Sequence, residues 1–219
     1  KTTIIIDTGP DFRAQMNGLE IKTIDAVLYT HSHSDHIQGI DELRVLRNRM
    51  KKLVDIYGNE FTIAELRQRF SYLFIDHADI DFYPQVLNPH IITPSMFGQA
   101  MTVGDIPFTP YNQDHGAMEC VGFRFGDLAY SSDMVNMDGK SIDIIKNVDT
   151  WIADGAGFHQ DGHKTHASLN RLYELNQSIG AKKVYVSGLS KFMDYKALKK
   201  ELPPGFEPAY DGLRIEVSL

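Results

Sequence analysis

The chain is short of sulfur bridges, long apolar runs and positive charge. It holds one cysteine, Cys120, in 219 residues. A single thiol cannot close a disulfide within the chain, and this usage fits a reducing cytoplasm. No apolar run approaches the ~20 residues needed to cross a bilayer as a helix, so no membrane is expected as a partner. The 22 Lys and Arg stand against 29 Asp and Glu, a net charge of −7. That balance argues against a broad grip on long nucleic acid, which needs basic clusters. A small anionic ligand stays compatible, because bound metal cations reverse the local field. Linkers, repeats and low-complexity segments are absent as well, so 1–219 reads as a single domain. Its length allows roughly 70–75% of the unfolded surface to be buried, enough for a substantial core. Lys1 is not a natural start, so a segment upstream is expected.

What is present in abundance is histidine and acid in one place. His31-Ser32-His33-Ser34-Asp35-His36 packs three imidazoles and a carboxylate into six residues. The apolar run Ile24 to Thr30 leads into it and a helix-like stretch from Gly39 to Met50 follows. The cluster is therefore placed on the loop leaving a buried strand and on the first turn of a helix. Residues two apart in an extended segment face one side, so His31 and His33 can share an ion. Asp35 and His36 diverge once a helix begins and are better placed for a second ion. A solvated polar loop would explain one or two histidines, but four ligand-type residues at this spacing point to two metals.

The rest of the chain supplies further acids and histidines at strand ends. Ile4 to Ile6 reads as a strand closing on Asp7, which is either a turn cap or a carboxylate that orients a histidine ligand. Arg44, Arg47, Arg49, Lys51 and Lys52 read as a solvated helix face rather than a phosphate-attracting collar. A helix from Thr62 to Phe70 is expected to begin at a Thr cap. Leu73 to Pro94 reads as an irregular excursion, with His77 and His90 as structural or surface residues. In Tyr111 to Gly116, His115 becomes the natural third nitrogen for the ion of His31 and His33. A hairpin about Gly126-Asp127 delivers Asp133, whose two oxygens can bridge two cations. Thr150 to Asp154 is another strand ending in an acid. A loop with His159, His163 and His166 opens a helix from Ala167 to Ile179. Lys183 to Ser187 is expected as a strand, Met193 to Leu202 as a helix and Leu213 to Leu219 as a last strand. Strands ending in ligands and alternating with helices point to an α/β sandwich.

The HxHxDH run resembles that of the metallo-β-lactamase-fold hydrolases, a family of lactamases, phosphodiesterases, ribonucleases, lactonases and thioesterases. IIIDTGPDFR, YTHSHSDHIQGIDELR, QDHG, LAYSSD, HKTHASL and MDYKALKKELPPGFEPAYDGL extend the resemblance over nearly the whole chain, toward the PhnP-like phosphodiesterase branch. The resemblance implies an αββα sandwich, here lacking the N-terminal strand or two with which such proteins begin. It implies that His31, His33 and His115 hold one metal, Asp35 and His36 the other, and that Asp133 bridges them. His166 then resembles the histidine that contacts the scissile phosphate and protonates the leaving oxygen. Asp35 counts with it among the catalytic residues, and His163 with it among those that bind substrate. One departure stands out. A late histidine ligand is expected after the strand ending near Ser187, and Gly188 occupies that place. The second ion would bind more weakly or not at all, unless His159 or His163 substitutes.

The expected activity is hydrolysis of a small (cyclic) phosphodiester or nucleotide by a hydroxide shared between two divalent ions, zinc or manganese. Hydrolysis of a lactone or thioester is the competing chemistry. A metal-depleted protein that binds a nucleotide or phosphate without turning it over is the competing class. A homodimer is left open by the sequence.

Overall fold

A computed structural model describes residues 1–76 and 84–219. His77 lies outside the described residues. The chain divides into two compact units, residues 1–93 with 103–105, and residues 94–102 with 106–219. Among the described residues, no helix is long and apolar enough to cross a membrane.

The first unit runs β1 (Ile4–Ile6), α1 (Phe12–Gly18), β2 (Ala26–Leu28), α2 (Ser34–Ile37), α3 (Leu43–Met50), β3 (Val54–Asn59), α4 (Glu60–Arg69) and β4 (Leu87–Ile92). Its four strands form a parallel sheet in the order β1-β2-β3-β4. Every side chain of β2 is buried, as expected for a strand covered on both faces. Phe12 and Met16 of α1, Leu43 and Leu46 of α3 and Ile63 and Leu66 of α4 join Val27, Tyr29 and Ile56 in one apolar core. The stretch expected as a single helix from Gly39 begins instead as a 3-10 turn, Gln38–Glu42, and becomes α-helical at Leu43. The cap of α4 is Asn59, whose side chain accepts from Thr62 N at 2.8 Å; Thr62 lies inside the helix. Asn is a strong cap because its short amide reaches the free N–H groups of the first turn.

Two readings between residues 73 and 94 have different outcomes. The irregular excursion gives way to β4, a strand that Pro89 hides from any propensity argument. His90 is a structural residue, its Nε2 2.8 Å from Asp55 Oδ1 and its ring stacked on Tyr57.

The chain continues with β5 (Met101–Val103), β6 (Ile106–Asp114), β7 (Glu119–Phe125), β8 (Leu128–Ser131), α5 (Gly139–Ile144), β9 (Thr150–Asp154), α6 (Leu169–Ile179), β10 (Lys183–Ser187), α7 (Tyr195–Glu201) and β11 (Phe206–Pro208). The sheet order is β11-β10-β9-β8-β7-β6-β5. β6, β7 and β8 pair antiparallel, and β8, β9, β10 and β11 parallel. Leu169, Leu172, Leu175 and Ile179 make one apolar stripe of α6 that packs with Trp151, Val184 and Val186. The tail from Leu213 to Leu219 is not a strand, and β11 holds that edge instead. The tail is tied down at one point by Asp127 N donating to Ser218 O at 3.0 Å. Asp138 caps Gly139–Ile144, accepting from Ser141 N at 2.7 Å.

Candidate functional site

In the first unit the site is built on the ends of β1 and β2. Asp7 follows β1 with a left-handed backbone, φ 58°, a conformation that Asp tolerates better than most residues. Its carboxylate accepts from Thr30 N and Thr30 Oγ1, both at 2.8 Å, and lies 2.7 Å from His36 Nδ1. A carboxylate can only accept, so His36 carries its proton on Nδ1 and turns Nε2 outward as a potential ligand atom. The turn after Asp7 also carries α2. Thr8 N donates to His36 O at 2.8 Å, and a Cβ on Gly9 would stand 2.7 Å from Asp35 O. Only glycine permits that approach.

The four residues of the first cluster fall into two pairs. His31 Nε2 lies 2.9 Å from His33 Nδ1, and Thr30 Oγ1 lies 3.0 Å from His31 Nδ1. His36 Nε2 lies 3.6 Å from Asp35 Oδ2. His31 is fully buried, whereas the Asp35 carboxylate is largely exposed. Ser32 O, between the two histidines, accepts from Arg69 Nη1 of α4 at 3.1 Å.

In the second unit three strand ends and one loop supply the groups. His115 follows β6, and its Nδ1 donates to Thr165 O at 2.7 Å. The carbonyl fixes the tautomer and leaves Nε2 as the ligand-type nitrogen. That nitrogen is 3.7 Å from Asp133 Oδ2. Asp133, just beyond β8, again has a left-handed backbone, φ 44°. His166 precedes α6, and its Nδ1 is 2.7 Å from Asp154 Oδ2 at the end of β9. Asp154 also accepts from Met134 N at 3.0 Å and Ala156 N at 2.9 Å. Burial pushes its carboxyl above the usual carboxylate range, against the opposing pull of His166. Asp133, Asp154 and His166 each offer an atom within 4.8 Å of the others, a set of oxygens and a nitrogen that suits a divalent cation.

His163 occupies a different position. Its Nδ1 accepts from Thr165 N at 3.3 Å and His166 N at 3.1 Å, so the ring braces the turn that aims His166. His159 Nε2 lies 2.9 Å from Glu201 Oε1, with its ring on Phe158. Gly188, after β10, has φ 66°, and a Cβ there would stand 2.8 Å from Asp154 Oδ1. Sequence reasoning noted that β9 ends in an acid but gave Asp154 no role. The signal available was its position, matching that of Asp7 and Asp133 after their own strands.

A family model described as the beta-lactamase superfamily domain matches residues 2–187. The chain belongs to the beta-lactamase superfamily. Within this superfamily of metal-dependent hydrolases it is PhnP-like. The crystal structure of a new diphosphatase from the PhnP family is 30% identical, covers 99% of this chain and 80% of its own, and gives a TM-score of 0.86. The metallo-β-lactamase-fold protein YhfI from Bacillus subtilis, 21% identical over 96% of this chain and 85% of its own with a TM-score of 0.75, shares the fold. An octanoyltransferase of Porphyromonas gingivalis is 28% identical over 213 residues, 96% of this chain and 41% of that protein. The chain thus spans less than half the length of that curated relative. The exodeoxyribonuclease WalJ of Streptococcus pneumoniae is 25% identical over 197 residues, 80% of this chain and 67% of that protein. The mixed α/β sheets flanked by helices are those of the metallo-β-lactamase fold, as the sequence resemblance implied. That fold implies the use of divalent metal, and the donor chemistry of both units fits: imidazole nitrogens and carboxylates, with tautomers fixed from behind.

Proposed function

We propose that this PhnP-like hydrolase cleaves a small phosphodiester or nucleotide with two divalent ions, zinc or manganese. His31, His33 and His115 would hold one ion, Asp35 and His36 the other, and Asp133 would bridge. This reading treats 1–219 as one functional domain. Bound ions would supply Lewis acidity toward the phosphate oxygens and lower the pKa of a water toward neutrality. The chain's own groups do the rest. Asp7 and Thr165 O hold His36 and His115 in the ligand tautomer. Asp154 fixes the ring of His166, so that its Nε2 edge is the one offered to the departing oxygen. His163, which braces that turn, would act on substrate through His166.

The observation that carries the reading is the buried Asp154 behind His166. An imidazole anchored on one nitrogen is suited to donate a proton from the other, which an alkoxide leaving group needs. His166→Ala is expected to lower turnover of bis-(p-nitrophenyl) phosphate by about 10²- to 10⁴-fold while metal content, measured by atomic emission, holds. Loss of metal in that variant would make His166 a ligand and remove the role assigned here. A lactone tested beside the diester separates the competing ester chemistry, which has less use for a proton donor.

Gly188 favours a second reading, a phosphate-binding protein with fewer ions. Its left-handed backbone and the Asp154 carboxylate beside it leave a bulkier residue little room. Two ions per chain would support catalysis, and one or none the binder.

A further inference from the structure

A groove of about 820 Å³ opens beside His166 in the second unit, between α6, the turn at Asp161 and the stretch Val135–Asn136. It is large enough for a nucleoside or sugar, and its electrostatics select among them. Three carboxylates face it, from Asp114, Asp161 and Glu174, against one guanidinium, Arg171. That guanidinium is already engaged on both sides. Its Nη1 donates to Glu174 Oε2 at 2.7 Å, and its Nη2 to Asn136 Oδ1 at 2.6 Å. Asn136 is held in turn, because the same oxygen accepts from Met137 N at 2.8 Å. Asp161 accepts from Ser168 Oγ at 2.6 Å and Asn170 Nδ2 at 3.0 Å, bonds that keep its carboxyl below the usual range and therefore charged. A phosphate entering here would meet a neutralised arginine and an excess of negative charge. Hydroxyl groups would meet carboxylate acceptors and side-chain amides that both donate and accept, Gln177 among them.

We propose that this groove is the leaving-group subsite, and that the Glu174–Arg171–Asn136 clamp makes it specific for an uncharged, hydroxyl-rich leaving group and discriminates against a phosphorylated one. The proposal rests on the phosphodiesterase reading above and adds the identity of the group that departs. His166, which borders the groove, stands where the bond to that group would break.

Two measurements on the full chain test it. The first compares kcat/KM on uridylyl-(3′→5′)-uridine, which releases uridine, with that on diuridine diphosphate, which releases uridine monophosphate. The wild type is expected to prefer the former, and Glu174→Gln, which releases Arg171, is expected to narrow that preference about three- to tenfold. A preference unchanged in E174Q, or a wild type that favours the diphosphate, overturns the proposal. The second measurement needs no turnover. Uridine should give a saturation-transfer signal with the protein as purified, weakened about tenfold in a variant carrying Asn136→Ala with Gln177→Ala. No signal, or one the double variant retains, overturns the proposal. Turnover of bis-(p-nitrophenyl) phosphate by the wild type tests the phosphodiesterase reading separately, so that either idea can fail alone.

Discussion

Asp7 shows how much one side chain can organise. It serves Thr30 twice and His36 once while holding a left-handed backbone. Asp7→Asn keeps the turn chemistry but weakens the acceptor behind His36. Metal affinity is expected to fall about 10- to 100-fold, as is usual for the loss of a carboxylate behind a ligand, measured by competition with a chelating dye. Gly188 makes the opposite kind of test. Gly188→Ala places a Cβ 2.8 Å from Asp154 Oδ1 at φ 66°, and should cost about 1–3 kcal/mol by urea unfolding. A cost near zero would mean that Asp154 is not held as described. Asp161 provides a pH test. Its folded carboxyl is depressed by Ser168 and Asn170, so its contribution is present above the unfolded value and fades as pH falls through the folded one. Wild type should therefore exceed Asp161→Asn in stability at neutral pH, with the gap closing below about pH 4. At this scale the sequence displayed which residues are ligand types, since four of them crowd the run from His31 to His36. It did not display Asp154, because a lone acid after a strand looks the same whether it caps a turn or anchors a histidine.

Elements were legible where pattern and burial agree. β2, β9 and β10 lie inside the stretches their apolar runs indicate, and the hairpin about Gly126-Asp127 forms with Phe125 opposite Leu128. β4 and β11 each contain a proline, and both are edge strands, the place where a missing N–H is tolerated. Sequence periodicity cannot say that a neighbour strand will be there to receive them. The start of α4 was misplaced for a related reason: Asn59 and Thr62 are both capping types, and only the structure shows which one turns inward. Asn59→Ala should cost about 0.5–2 kcal/mol. Among the described residues Thr62 Oγ1 is buried without a hydrogen-bond partner, so Thr62→Val should be neutral or stabilising within about 1 kcal/mol. Thermal melts of the two variants decide which residue is the cap.

At the scale of the whole molecule the acidic balance and the metal chemistry belong together. In the proposed reading, a chain with net charge −7 and further carboxylates beside His166 needs cations to admit an anionic substrate. Exhaustive chelation is expected to abolish phosphodiester turnover and to lower the melting temperature, with both restored by zinc or manganese. Saturating metal at about 100 times its dissociation constant should return about 2.7 kcal/mol of stability. A melting temperature indifferent to chelation would count against resident ions. The fold family was readable from the sequence because its ligands come in compact runs. The groove beside α6 was not, since Asp114, Asn136, Asp161 and Arg171 meet only after the chain has folded.

The peptide that joins Thr165 to His166 has two masters. Its carbonyl oxygen steadies the imidazole of His115, while the residue that follows it reaches for Asp154. Any displacement of that peptide would tilt both rings together, so disturbance of the loop over 159–164 should be felt at two histidines at once rather than at the nearer one alone.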